Sequence, residues 1–584
     1  MEFYVNTPDA LRQALAHKGP KTIRIAKGSY EFLGSLWLTD DTELIAESGV
    51  SFFGSKRIVF DHAESGVVKI NLADHGISAD FEFGGGPYQD FWKDYDIPKP
   101  HMDDCGPGME LYFGAKKMKL ARYPEKGYTG IEKCVGPTPA GNPYDENPIF
   151  QEGVFIPRNR ELFEENDPDD LLLVGYWAFD WATQRHSIEH YDPATGHLRV
   201  KGPDHTYGYC AAWARFYALN VKTAMKKPGD WYIDRKKGEL YLIPYKNQTY
   251  VDVTVCENLF EGENVRNVRI ENIRVERCRK SAFHLNGCRN VTVKNCAVKH
   301  VGAWGLIADN CADCLFTQLK ISHTGGGGIA CSGGDRATLT PSGNVISHND
   351  ITQIAYWHKT YLAGIELNGV GNRVLFNKIY DVPHFAIVFQ GNDHRIEGNE
   401  ICNACAETGD AGAVYAGRDY TCRGNVICHN YIHDIVGYTG SGAHGAFGLY
   451  FDDGMCSAEV YGNIFANISK YAIVVGGGRD FNIHDNTFYR CKYAMEMDNR
   501  MEVWPSQNTK QLKHLYEVPY RSEVWKNAYP QLYRLLDDEP KKPKGNVFVR
   551  NTLIASQMVK FASYCAPDTP ALLRRENNTE VPEK

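Results

Sequence analysis

The chain has 584 residues, with 64 Lys plus Arg against 72 Asp plus Glu, a net charge of −8 and 43% hydrophobic residues. That acidic balance argues against a nucleic-acid partner, which needs clustered positive charge, and the composition is ordinary for a globular protein rather than a collagen-like or disordered one. No stretch of 18 apolar residues occurs, so no membrane span is expected.

The opening run MEFYVNTPDALRQALAHKG has neither a basic n-region nor an apolar core, so no secretory signal is expected and the expected location is the cytoplasm. The 17 cysteines, an odd number, suit reduced thiols there. Residues 1–65, with TIRIAKGSYEF and TELIAESGVSFFG, are predicted to form a cap or first coil. Residues 66–250 are rich in aromatics. Their runs LLLVGYWAFDWATQRHSIEHYDPATGHLRV and RFYALNVKTAMKKPGDWYIDRKKGELYLIP alternate like antiparallel strands, with turns at DPATG and DRKKG. They predict an inserted β-rich, sandwich-like domain.

Residues 251–560 carry a repeat. Short β-rich runs end in Asn at 272, 295, 349, 377, 399, 430, 463, 486 and 551, with Gln318 at the missing beat. The spacings are 23, 23, 31, 28, 22, 31, 33, 23 and 65, a base period of about 22 with insertions, which signals a solenoid. A small residue then opens a second strand: Ala282, Gly305, Gly328, Gly364, Ala386, Gly412, Gly448, Ala472 and Ala494. The first and third residues after each mark are mostly apolar, as in Ile365 and Leu367, or Leu449 and Phe451, and should point inward. In this register Ala413 and Tyr415 also fall in the inward columns. The predicted fold is all-β: a right-handed parallel β-helix solenoid in which Asn accepts the bent backbone at each corner. An insertion at 500–545 has helical character around SEVWKNAYPQLYRLLDD, the last turn runs from Asn546 to Ser556, and 561–584 is predicted as a loose tail.

Two C-x-x-C pairs, Cys311 with Cys314 and Cys402 with Cys405, raise zinc as a reading. Cys288 and Cys311 share a register on adjacent coils, which favours apolar filling over a metal site, and no metal or cofactor is expected. Gly325 to Gly328 lacks the Lys-Ser or Lys-Thr of a phosphate loop and is read as a place of close backbone approach or a turn. Arg418 and Arg479 are expected to pair with Asp419 and Asp480. His429, His433 and His444 match no known ligand spacing.

The loops before Gly364, Gly412 and Gly448 are long, 15, 13 and 18 residues from the preceding Asn, and should cluster on one side. Glu366, Asp410 and Asp452 belong to these coils. Asp410 and Asp452 would lie roughly 20 Å apart along extended strands, so a catalytic pair requires the Asp410 loop to fold back. Paired carboxylates point to glycosidic bond cleavage, one as acid and the other as nucleophile or base. A structural capping role for such acids is the competing reading. Trp304, Tyr356, Trp357, Tyr415, Tyr438 and Tyr450 offer faces for a sugar, and His323, His358, His384 and His444 offer hydrogen bonds.

The runs GDAGAVYAGRD, GLYFDDG, VYGNIF, GGGRDFNIHDNTF and CKYAMEMDNR resemble the β-helix glycosidases of glycoside hydrolase family 141. The runs ELYFGAKKMKLARYP, GYWAFDWA, RFYALN and PGDWYIDRKKGELYLIPY resemble the inserted domain of that family. The resemblance extends from about Phe3 to Ile554. It implies α-L-fucosidase or xylanase action with no cofactor, and essential aspartates at Asp410 and Asp452, with Asp453 the competitor for the second. The expected partner is a plant-derived oligosaccharide, attacked from its end. A lyase or epimerase, which would need a basic cluster on the outward positions, and a non-catalytic carbohydrate-binding solenoid are the rival readings.

Overall fold

The structure is a computed structural model describing all residues except 62–65, 80–107, 138, 141–148, 151, 203, 206, 441–443, 504–507 and 583–584. The undescribed stretches 80–107 and 504–507 belong to the two predicted insertions. Parallel strands stack rung on rung into a 25-stranded sheet, which folds round two sides of the coil, and a 12-stranded sheet. The alternation of the sequence explains the packing: one inward column of the smaller sheet runs Phe283, Leu306, Ile329, Ile365, Ile387, Val414, Leu449, Ile473, Met495. Like residues stack on like, as with Phe465 on Phe488 at 5.1 Å, close to the strand spacing itself.

The register corrects the sequence reading at one coil. Ala411 pairs with Ala446, and Tyr415 with Tyr450, so the small residue opposite Gly448 is Ala413 rather than Gly412. The slip of one residue turns Tyr415 from the interior to the outer face, as it must in a strand of period two.

The corner asparagines also differ from expectation. Asn272 and Asn295 do adopt left-handed backbone, at φ 67° and 51°. From the fourth beat onward the left-handed residue is the one before: His348, Phe376, Gly398, His429, Gly462, Asp485 and Arg550. The Asn itself turns inward. Asn349, Asn377, Asn399, Asn430, Asn463, Asn486 and Asn551 form a buried ladder in which each Nδ2 donates to the next Oδ1 at 2.9–3.1 Å. The same groups also satisfy main chain: Asn399 Nδ2 donates to Val374 O at 3.0 Å, and its Oδ1 accepts from Asn377 N at 2.9 Å.

At the N-terminus, Glu2–Val5 pairs with Lys21–Ile25, and the helix Pro8–Ala16, capped by Thr7 Oγ1, buries Leu11, Ala14 and Leu15 over the first coil. The described residues between 66 and 250 form mainly antiparallel sheets, the largest of seven strands, with one parallel pair between Lys119–Leu120 and Asp230–Asp234. The two expected hairpins are present: Thr183–Asp192 returns as His197–Val200, and Asp230–Asp234 as Glu239–Leu242. The second insertion is helical at Asn508–Glu517 and Glu523–Ala528, and Trp525 is buried beneath it. The segment predicted as a loose tail instead continues the coil. Leu573–Glu576 pairs with Asn546–Val549, and Asn578 accepts from Asn551 Nδ2 at 3.1 Å.

The long loops do cluster, and the inserted domain lies against them. Thr183 N donates to Thr360 Oγ1 at 3.0 Å, Arg215 Nη2 to Glu407 O at 3.0 Å, and His444 N to Asp180 Oδ2 at 3.1 Å.

Candidate active site

Asp410 opens its strand from a left-handed residue, φ 46°, and its N–H donates to Gly445 O at 2.7 Å. This bend folds the loop back over the outward face. Asp452 ends the strand Ala446–Asp452 on the next rung. The Tyr450 hydroxyl donates to Asp410 Oδ1 at 3.3 Å, and Arg500 Nη1 donates to the same hydroxyl at 3.1 Å and to Asp452 Oδ1 at 2.7 Å. That path links the two carboxylates through one hydroxyl and one guanidinium, although extended strands alone suggested a separation of roughly 20 Å.

Consecutive residues of a strand point to opposite faces, yet Asp452 and Asp453 share partners. The reason is the turn at Asp453, φ 39°, which swings its carboxylate back. Arg418 Nη1 lies 3.3 Å from Asp452 Oδ2 and its Nη2 lies 2.8 Å from Asp453 Oδ2. Arg500 Nη1 reaches Asp453 Oδ1 at 3.2 Å, while its Nη2 is held by Asp498 at 2.7 Å. The Tyr415 hydroxyl, turned outward by the true register, donates to Asp452 Oδ2 at 2.9 Å.

These surroundings split the acids. Burial raises the Asp410 pKa, and the Asp452 charge adds to the effect. Burial also presses Asp452 upward, but the Arg418 and Arg500 guanidinium groups and the two tyrosine hydroxyls outweigh it and hold that carboxyl below its ordinary value. Asp453 is pushed up to about 6 by burial and by the neighbouring Asp452. Two neighbouring carboxyls whose pKa values are moved in opposite directions are the arrangement that acid–base chemistry on a glycoside needs.

The acids line a cavity of about 330 Å³ together with Tyr361, His384, Phe385, Trp181 and Tyr207. Burial drives His384 down to about 3, so its ring is neutral, and its Nδ1 accepts from Tyr361 N at 2.7 Å. Trp181 and Tyr207 come from the inserted domain. Trp181 stacks on Phe179 at 4.1 Å and meets the His444 ring edge at 4.9 Å, while His444 Nδ1 is paired with Asp180 Oδ1 at 2.8 Å.

Of the residues expected to meet a sugar, Asp453, His384, Tyr415 and Tyr450 line this cavity and His444 stands at its rim. The others do not line it. Trp304 is fully buried in the coil, in room left by Gly327, where a Cβ would lie 2.1 Å from the indole. The glycine run thus serves close packing. Trp357 is buried against the inserted domain and its indole donates to Glu110 Oε1 at 2.6 Å. His358 is buried beside it and burial takes its pKa well down. Glu366 is on the outward ladder, as expected, but two rungs before Tyr415 and outside the cavity. His323 and Tyr356 line a separate cavity with Lys117, Lys359 and Glu407. Tyr438 packs on the Arg215 guanidinium at 3.5 Å.

Sequence reasoning missed Arg418, Arg500, Trp181 and Tyr207. Arg418 pairs with Asp452 and Asp453 instead of its neighbour Asp419, which faces Arg336 at 3.5 Å. Arg500 and Trp181 stood inside the quoted runs CKYAMEMDNR and GYWAFDWA, but nothing local ties either to Asp452.

The family described as right handed beta helix region matches residues 248–362 and 363–509. The fold is a right-handed parallel β-helix. A solved structure described as "Glycoside hydrolase" is similar with a TM-score of 0.55 at 15% identity, over 85% of this chain and 94% of that one. Another, "The complex structure of XylC with xylose", has a TM-score of 0.47 at 11% identity, over 99% and 86%. No curated protein sequence matches. What the first comparison shows at this identity is the fold, a β-helix of the kind found in a glycoside hydrolase.

Proposed function

We propose that this β-helix protein is a glycoside hydrolase that removes a terminal fucosyl or xylosyl sugar from plant-derived oligosaccharides. The observation that carries the proposal is the pair Asp410 and Asp452, in one cavity and with pKa values moved in opposite directions. Protonated Asp410 gives its proton to the glycosidic oxygen as the bond to the anomeric carbon breaks. Ionised Asp452 meets the positive charge that develops there, either attacking the carbon or taking a proton from an attacking water. Arg418 and Arg500 keep Asp452 charged until that moment. Asp453 is the weaker candidate for the ionised role, because burial and the neighbouring Asp452 push its pKa up to about 6. The cavity is near the lower end of the roughly 300–1,000 Å³ typical of ligand sites, which suits a terminal sugar. The choice of sugar rests on the family resemblance.

The rival lyase reading needs a basic cluster, and two arginines, Arg418 and Arg500, line the cavity. Both are engaged by aspartates, and the surrounding carboxylates and the Tyr450 hydroxyl keep Arg500 charged against its burial. A guanidinium held in this way is no base.

The test is hydrolysis of aryl α-L-fucoside, aryl xyloside and related glycosides by the wild type and by Asp410→Asn and Asp452→Asn. The wild type should release the phenol, and each variant should lose about 10²–10⁴-fold in kcat/KM. Wild-type rates in both variants would reject the assignment. An unsaturated product absorbing in the ultraviolet would favour the lyase.

A further inference from the structure

The flank of the solenoid away from the catalytic sheet carries a second cluster of reactive side chains. On the strand Glu400–Cys402 of the larger sheet, Glu400 and Cys402 are two residues apart and so face the same way. Cys402 is directly in register with His433 on the next rung. One ligand atom from each of Glu400, Cys402 and His433 lies within 4.8 Å of the other two. The C-x-x-C spacing is not what builds this group. Cys405 is wholly buried, and the partners of Cys402 come from strand periodicity and from the neighbouring coil.

His433 is set for ligation. Its Nδ1 lies 2.6 Å from Asp434 Oδ2, which fixes the proton on Nδ1 and leaves the Nε2 lone pair directed at the cluster. Nε2 is shielded from solvent and has no hydrogen-bond partner among the described residues; the nearest carboxylate oxygen, Glu400 Oε1, is 3.9 Å away, beyond hydrogen-bond range. A buried ring nitrogen without a partner is costly, and a bound cation would satisfy it. Tyr431 stacks on the ring at 4.1 Å and holds its plane, and Lys378 pairs with Glu400 at 2.9 Å and fixes that carboxylate.

We propose that Cys402, His433 and Glu400 bind a zinc-class divalent cation that clasps two successive rungs, apart from the carboxylate cavity. Thiolate, neutral imidazole and carboxylate together select zinc over magnesium or calcium, with water completing a tetrahedral site. Binding releases the Cys402 thiol proton to solvent. The trio Glu397, Cys428 and His429 has similar composition, but its Cys428 is buried, whereas Cys402 is only half-buried, so it serves as the control.

The experiment is titration of the full chain, reduced and metal-free, with Co²⁺, followed by the thiolate-to-cobalt absorption in the near ultraviolet and by displacement with Zn²⁺. One equivalent should bind with that band in the wild type and in Cys428→Ser. The band should vanish in Cys402→Ser and in His433→Gln, and Asp434→Asn should bind about 10–100-fold more weakly. Absence of the band in the wild type, its persistence in Cys402→Ser, or its loss in Cys428→Ser would overturn the proposal. None of these readouts depends on glycoside turnover.

Discussion

Asp452 lies between two guanidinium groups, whereas Asp410 meets a tyrosine hydroxyl and a second carboxylate. Three predictions follow from that difference. Replacing Arg418 by Gln removes one of the charges that lower the Asp452 pKa, so the acid limb of the kcat/KM profile should move to higher pH. An unshifted limb would show that Asp452 is not the ionised group. If Asp410 is the acid, Asp410→Asn should lose less on an aryl glycoside with a good leaving group than on an oligosaccharide, while Asp452→Asn should lose equally on both. Asp410 also affects stability. A carboxyl whose folded pKa is raised is destabilising once pH exceeds its ordinary value, near 4, and the cost grows until the folded value is passed. The Asp410→Asn variant should therefore melt above the wild type at neutral pH, with the gap closing at low pH, as measured by thermal unfolding across that range.

At the scale of the strand and corner, the asparagine ladder supplies hydrogen bonds where the coil turns inward and main-chain groups would otherwise be buried without partners. Asn399→Ala would strand the Asn377 N–H and the Val374 carbonyl together with two amide neighbours on the ladder. The expected loss is about 3 kcal/mol, read from the urea midpoint. A loss below about 0.5 kcal/mol would mean that water replaces the side chain. The same ladder marks the limit of reading a repeat from one residue type. The Asn column is visible in the sequence, yet the first two members lie one position earlier than the rest, and only strand pairing reveals the shift. Tyr415 fails for the same reason: one residue of slip exchanges core for cavity.

Across the whole molecule, the inserted domain completes the cavity. Its segment Trp177–Ala182 reaches the coil loops through Asp180 and His444 and places Trp181 opposite Asp410 and Asp452. Trp181→Ala should raise KM on the order of tenfold, equivalent to about 1.4 kcal/mol of lost contact, with kcat changed far less. The second insertion contributes too, since Arg500 stands at its entrance, on the helix Arg500–Val503, with its charge turned into the cavity.

The local pattern of residues determined the parallel coil, the two hairpins of the inserted domain and the segments that carry the acids, because strand periodicity and turn chemistry act over short spans. Which acids meet was decided elsewhere. Arg418, Arg500, Tyr415 and Trp181 converge on Asp452 and Asp410 from separate rungs and from a different domain. Their charges act through space and through the exclusion of water, and neither has a signature along the chain.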